Sequence, residues 1–453
     1  MLFWTFVAIL ILLACGVGTA LLVLPRRDLF APELAGFSIV LGAFVTSGSW
    51  IIFSSFLSGA PLRWAVTAVC LALFCAGLVR RFRSQTAVLR GAGWVVLLLW
   101  LVESVIVYWQ SLAIPMASDA LFIWEFKGRL AFLHGGAIPA EYFSAAWLWS
   151  HGAYPLEVPL LEAWIYSWAG QAHQLLPKFL FPLFFIGATG LLWSAVRRAT
   201  GSAIQAGWAS LLLFFIPWLI YKPGGVASGL ADFPLDVTYL AALVLLLEWI
   251  RIARQPQPGA SPIAAFACCL AALPWIKQEG LILAAVLLLI AVRFTGPWTE
   301  WRKRAPTLLF LAAVPFCVTG AWHAYLASRH CAPAQDFLRP SLSTFAENSY
   351  RLIPIAYAMV MEFLSFDRWG LLWPLAFIAI FFLPRRYPLE AGALALAMGI
   401  PIVLFGCVYV FSAWPSYVLH INTSLTRLLI SAAMPAILAL GLWLTRGGSS
   451  SGD

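Results

Sequence analysis

Stretches of about 20 apolar residues recur along this chain almost without a charged side chain, and a helix of that length spans the hydrocarbon of a bilayer. They lie at 2–24, 34–58, 62–79, 92–112, 178–196, 203–221, 233–250, 262–275, 280–293, 306–327, 367–383, 389–411 and 425–445. The pair 262–275 and 280–293 is short: either two compressed helices or one helix broken at Lys277-Gln278-Glu279-Gly280. Residues 351–366 read as a further span or an interfacial helix. The expected fold is an all-α polytopic membrane protein with about 11–14 transmembrane helices. Composition leaves little else. Charged residues make up 10% of the 453, against about 25% in soluble domains, too few to coat a globule in water. The 23 Trp suit helix ends at the headgroups, where the ring is apolar and the N–H is wet. Residues 1–24 read as a first membrane helix rather than a cleaved leader, because the apolar run is long and no small-x-small site follows.

The net charge of +9 would point to nucleic acid in a soluble protein. Here the arginines cluster in short loops between spans. Arg26-Arg27, the 80–90 loop, Arg197-Arg198, Arg251 and Arg254, Trp301-Arg302-Lys303-Arg304, Arg385-Arg386 and Arg446 all fall on one side of a single threading. That is the positive-inside pattern, and it excludes a nucleic-acid face. The other side then receives 113–177, 222–232, 328–350 and 412–424. Most of the eight Cys lie within apolar runs, with no disulfide framework and no metal-ligand spacing. Three regions are expected: N-terminal transmembrane helices over 1–90, a core over 91–330 carrying the outer loop 113–177, and a C-terminal outer loop with further helices over 331–453. The last residues, Gly-Gly-Ser-Ser-Ser-Gly-Asp, read as a short flexible tail.

Loop 113–177 is longer than a connector needs to be and is dense in aromatics. Its segments 118–133 and 156–170 have helical apolar spacing and read as amphipathic helices in the membrane surface. Asp119 follows the span 92–112 closely. A carboxylate at the water–lipid boundary can act as general base for an acceptor hydroxyl or amine; Asp also favours a helix N-cap, and the spacing fits both. Lys127 and Arg129 follow, as anion contacts or as snorkelling cations. Asp232 and Asp236 open a span, as orienting acids or as caps. Lys222 stands in a flexible turn before them, where it can meet a phosphate. Lys277 and Glu279 are ionisable groups at membrane depth, which are costly and are functional or paired. Glu103 inside 92–112 is read as paired with a neighbouring helix. His420, Ser424 and Arg427 fall on one helical face, and an Arg there suits a phosphate or carboxylate. His323 reads as a hydrogen-bonded core histidine. Loop 328–350, with His330, Cys331, Asp336, Arg339 and Glu347, is open to a part in an acceptor lid, but its residues show no pattern.

Several of these residues carry a resemblance. Asp119…Trp124…Lys127, then His151-Gly152-Ala153-Tyr154-Pro155-Leu156-Glu157-Val158-Pro159-Leu160, resembles bacterial membrane glycosyltransferases of the GT-C superfamily, the aminoarabinose transferase and protein mannosyltransferase group. Gly229-Leu230-Ala231-Asp232-Phe233-Pro234-Leu235, Trp275-Ile276-Lys277-Gln278-Glu279-Gly280 and His420-Ile421-Asn422-Thr423-Ser424-Leu425-Thr426-Arg427 fit the same picture in order and placement, so that the resemblance covers about 92–445. It implies a multi-pass protein of the bacterial inner membrane whose active site faces the periplasm or exterior. The implied reaction moves a sugar from a polyprenyl-phosphate-linked donor to a glycan, lipid or protein acceptor. The first outer-loop Asp of the family maps onto Asp119 as the catalytic residue. Candidate donor-phosphate contacts are Lys127, Lys277 and Arg427; candidate sugar or acceptor contacts are Tyr154, Glu157, Asp232, Glu279 and His420. Beyond the donor and acceptor the implied partner is membrane lipid, with no nucleic acid. No cofactor is expected, and a divalent metal is left open.

The chain departs from the family pattern in two ways. Three spans precede the loop, where many relatives have one, and Ala120 rather than a second acid follows Asp119, which weakens a metal-assisted variant. An inverting displacement with Asp119 as base is expected. The rival readings are a multi-span transporter or lipid-linked sugar flippase, which would show repeated halves not seen here; a non-catalytic scaffold, which needs no converging charges; and an O-antigen ligase or polymerase, which would rely on a large late loop.

Overall fold

In a computed structural model the described residues are 1–25, 29–80, 92–255, 261–296, 298–333 and 336–445. Arg26-Arg27, the 80–90 loop beyond Arg80, Arg446 and the C-terminal tail lie outside them. The chain is an all-α polytopic membrane protein. Three N-terminal helices, α1 (Leu2–Val23), α2 (Ala31–Phe53) and α3 (Gly59–Arg80), are followed by α4 (Ala92–Ala113). The outer loop folds into a π-helix (Ala120–Glu125), α5 (Phe126–Leu133) and α6 (Glu157–Ala169). Then come α7 (Phe181–Thr200), α8 (Ala203–Ser210), α9 (Pro217–Tyr221), α10 (Asp232–Ile252), α11 (Ile263–Ile276), α12 (Glu279–Phe294) and α13 (Trp301–Ser328). The C-terminal third holds α14 (Leu342–Glu347), α15 (Leu352–Phe363), α16 (Phe366–Trp369), α17 (Leu372–Phe382), α18 (Pro388–Val408) and α19 (Tyr417–Leu444).

Nine of the described helices, α1–α4, α7, α10, α13, α18 and α19, are long and apolar enough to cross a membrane. The expected span 203–221 is instead two pieces bent by 66°, which break ahead of Pro217, where the ring cannot continue the α-helical ladder. The helices α11, α12 and α17 are apolar but only 14, 16 and 11 residues long. Counting them with the bent pair brings the bundle into the expected range of about 11–14.

Lipid as solvent decides which faces are apolar. Large side chains stand on the outside, among them Phe3, Trp109, Leu309 and Ile353, each at least two-thirds exposed. Asp232 through Ile250 of α10 are buried without interruption, as expected of a helix that is apolar all round and runs through the bundle centre. Helices buried in lipid gain no hydrophobic drive from meeting one another, so close backbone approach supplies the attraction. At the α1–α3 crossing a Cβ on Gly77 would lie 2.5 Å from the Gly18 carbonyl oxygen; only hydrogen fits there.

The polar loops sort to the two ends. At one end Arg198 of α7 pairs with Glu33 of α2, Arg251 of α10 with Glu390 of α18, and Arg386 donates to the Thr445 carbonyl. This is the end toward which the arginine clusters were threaded. The outer loop, Lys277 and the start of α19 meet at the other. Helix α6 corrects one expectation: it is not an amphipathic helix with one face left open. Nearly every residue from Glu157 to Trp168 is buried, and it packs against α1, α2 and α5. His323 corrects another, since it is exposed on α13 rather than held in the core. Glu103 is buried, but its Oε2 has no partner among the described residues.

Candidate active site

The chain leaves α4 at Ala113 and enters the π-helix within a few residues. There Phe126 N–H donates to the Leu121 carbonyl, five residues back. The wider turn rotates the side chains that follow relative to an α-helix, a distortion that recurs at functional sites. Asp119 occupies the N-cap position, yet its side chain makes no capping bond. It instead accepts a hydrogen bond from Arg427 Nη1 at 2.8 Å. The structure thus removes the capping alternative for Asp119. Its side chain is 44% exposed and that of Arg427 18%, so the carboxylate is open to an incoming molecule while the guanidinium is held behind it. The Nε of Arg427 is buried with no partner among the described residues.

Lys277 stands in the break between α11 and α12. Its Nζ lies 3.0 Å from Asp232 Oδ1 and 2.9 Å from Glu279 Oε1. Burial works against its charge, but Asp232 and Glu279 outweigh that and raise its pKa. The Asp232 carboxylate also interacts with Arg427, so the two cations are joined through it. Asp232 makes no cap either; Ala231 is the N-cap residue and the acid points to Lys277. Asp119, Asp232 and Glu279 therefore balance Lys277 and Arg427 with one carboxylate in excess. Tyr154 faces this group and feels the charges of Glu279, Lys277, Asp336 and Arg427; burial raises its phenol pKa. Asp236, one turn into α10, accepts from Ser431 of α19 and is fully enclosed.

The other expected residues lie around this cluster. Lys127 is completely buried. Its Nζ donates to the His151 carbonyl at 2.9 Å and sits 5.3 Å from the Trp124 ring and 5.5 Å from that of Tyr154. Burial pulls its pKa down to about 7. In this arrangement the amine clamps the outer loop rather than facing an anion. Arg129 does not snorkel freely; it pairs with Glu125 at 2.9 Å. Glu157 is not brought to the cluster. It starts α6 at 1% exposure, and burial pushes its carboxyl well above the usual range. His420 lies on the same face of α19 as Arg427. Its Nδ1 is 2.8 Å from Ser412 Oγ, and its ring stacks on Trp414 at 4.5 Å. Ser424 bonds to Tyr409 at 2.8 Å. Lys222 lies against the Tyr221 ring.

Arg368 escaped the sequence reading, and so did the pairing of His151 with Asp336. Arg368 donates to Thr426 Oγ1, next to Arg427, at 3.2 Å. His151 and Asp336 pair at 3.2 Å, although they come from loops 185 residues apart in number. His151 lay inside the quoted motif, but nothing local marked its partner. Among the described residues no group of three or more His, Cys, Asp or Glu is disposed to hold a metal ion.

No family model matches the chain and no curated protein matches it. Among solved structures it is similar to ArnT from Cupriavidus metallidurans bound to undecaprenyl phosphate, at 16% identity and a TM-score of 0.48. The match covers 78% of this chain and 60% of that one, so the chain spans three-fifths of the length of the protein it matches.

Proposed function

We propose that the chain is a membrane glycosyltransferase that moves a sugar from a polyprenyl-phosphate-linked donor to an acceptor at the end of the bundle opposite the arginine clusters. By the positive-inside rule that end faces away from the cytoplasm. One observation carries the reading: Asp119, 44% exposed in the aromatic outer loop, is held by the Arg427 guanidinium, which itself stays 18% exposed. A partly exposed guanidinium beside an open carboxylate is suited to a phosphate oxygen. The sequence resemblance of Asp119 and of the stretch ending in Arg427 to the GT-C group points the same way.

In this reading the donor phosphate takes the Arg427 guanidinium and leaves Asp119 without its cation. The cluster then holds more negative charge, and that excess is relieved when Asp119 takes a proton. The acceptor O–H or N–H gives that proton to Asp119 while its heteroatom bonds to the anomeric carbon. The bond from that carbon to the phosphate oxygen breaks, and the electron pair leaves with the polyprenyl phosphate. Attack opposite the leaving group inverts the anomeric centre. Lys277 holds Asp232 and Glu279 in place and lends positive charge to the phosphate side. Lys127 fixes the loop over the sugar through the His151 carbonyl.

The competing reading is a transporter or flippase for a lipid-linked sugar. Release of polyprenyl phosphate from a lipid-phosphate sugar by the purified chain in detergent, where no bilayer remains to be crossed, separates the two: a transferase turns over there and a flippase does not. In cells without the chain, mass spectrometry of lipid-linked glycans and envelope polysaccharide is expected to show donor accumulated and one glycan lacking a sugar. No change in either pool, or no turnover in detergent, would sink the assignment.

A further inference from the structure

Next to the charged cluster lies a hollow of about 250 Å³, lined by Trp149, His151, Gly152, Tyr154, Ala332 and Asp336 among others. It is built from two distant parts of the chain. Residues 331–333 and 336–341 are held in place by Ala332 N–H to the Phe143 carbonyl, Leu338 N–H to that of Phe411 and Ala413 N–H to that of Asp336. This fixes Asp336 against the outer loop, where it bonds to His151 Nδ1 at 3.2 Å and also to Trp414. The His151 hydrogen bond holds the Asp336 carboxyl below its ordinary range, so it is a permanent acceptor. His151 itself has φ 48°, a left-handed conformation costly for a residue with a Cβ; such strain gathers where a side chain must be aimed. With Nδ1 turned to Asp336, Nε2 is left without a partner among the described residues.

The opposite wall is aromatic. Trp149 packs on Phe126 at 5.4 Å and Trp147 at 5.6 Å, yet it remains 49% exposed. Tyr154 stacks on His151 at 4.8 Å and closes the side toward Arg427 and Lys277. A pocket with an apolar ring face on one wall and a carboxylate and imidazole acceptor on the other suits a molecule with both properties. A sugar ring is such a molecule: its C–H face is apolar and its rim is all hydroxyl donors.

We propose that this hollow is a carbohydrate subsite, in which one sugar ring lies with its C–H face toward Trp149 and donates hydroxyls to Asp336 and His151. The subsite deepens the transferase reading and rests on it only for whose ring is bound, that of the donor or that of an acceptor glycan. Binding itself needs no turnover, so it can fail while the transferase reading survives, and the reverse.

The test uses the full chain in nanodiscs and saturation-transfer NMR with methyl glucoside, methyl glucosaminide and methyl glucuronide. At least one neutral or amino glycoside is expected to receive saturation on its ring protons, with the glucuronide weakest because Asp336 repels it. Trp149→Ala, at an exposed position that should not impair folding, is expected to weaken binding about three- to tenfold, and Asp336→Asn to weaken it similarly. Adding polyprenyl-phosphate glucose distinguishes the sources. Displacement by it, and not by polyprenyl phosphate alone, assigns the subsite to the donor sugar; simultaneous binding assigns it to the acceptor. No transfer to any of the three glycosides, or equal transfer in wild type and both variants, overturns the proposal.

Discussion

Replacing Asp119 by Asn separates a catalytic carboxylate from a merely structural one, because the two roles predict effects of different size. The structural stake is small. The Asp119 side chain is 44% exposed, so water screens its attraction to Arg427, and an exposed pair contributes roughly 0–1 kcal/mol. The guanidinium keeps a second carboxylate nearby in Asp232, which limits the cost further. The Asn side chain can still accept a bond from Arg427 Nη1. A loss of about 1 kcal/mol lowers the ratio of folded to unfolded protein about fivefold, which hardly changes the folded fraction of a stable protein. The catalytic stake is larger. A positioned general base contributes about 10²–10⁴ in rate, or roughly 3–5 kcal/mol of barrier. The assay is release of polyprenyl phosphate from a labelled lipid-phosphate sugar, or glycan mass spectrometry in cells, with variants matched for membrane abundance and melting temperature. Asp119→Asn is expected to lose at least about 100-fold in transfer while melting within a few degrees of wild type. Asp119→Glu, which keeps the carboxylate but moves it outward, is expected to retain part of the activity. Transfer by Asp119→Asn within a few-fold of wild type would refute the reasoning and reduce the pair to a surface ion pair.

The remaining expectations concern burial. The amine of Lys127 has its pKa pulled to about 7 by burial, against about 10.4 when unfolded. Between those values the unfolded chain binds the extra proton, so stability rises as pH rises from about 7, by at most about 1.4 kcal/mol per unit. Melting of the purified protein between pH 6 and 9 is expected to show this slope, and Lys127→Met to flatten it; an unchanged slope would mean that Lys127 stays charged. Gly77→Leu at the α1–α3 crossing forces a side chain into a space where even a Cβ meets the Gly18 carbonyl at 2.5 Å. It is expected to cost about 1–3 kcal/mol, seen as a lower melting temperature, whereas the same change at Gly48, where a Cβ meets nothing within 4 Å, is expected to be tolerated.

Much of this protein was legible in its residues alone. A charge fraction of 10% cannot solvate a globule, and apolar runs of bilayer length have no stable form in lipid other than the helix. The arginine clusters set one threading, and the described ones gather at one end of the bundle. Asp119 was marked by its place just beyond a span and by the resemblance of its stretch, while its spacing alone fitted an N-cap equally. Span lengths were less legible where Pro217 breaks a run that is apolar throughout, since hydropathy records composition and not the backbone angle. The outer loop misled for a related reason: α6 has helical apolar spacing, which fits a helix on a membrane and equally one buried among others. Periodicity reports which solvent a face meets, never which neighbour it meets.

The site belongs to the tertiary structure. Asp119 and Arg427 are 308 positions apart, and His151 finds Asp336 across loops with no shared pattern. Each of these groups, taken alone, had a plausible local task as a cap, a snorkelling cation or a loop residue. Only the packing of α19 along α10, α17 and α18 and the hydrogen bonds that hold residues 331–333 and 336–341 decide that they meet, because a pairing energy depends on distance in space and the order of residues along a chain does not encode it.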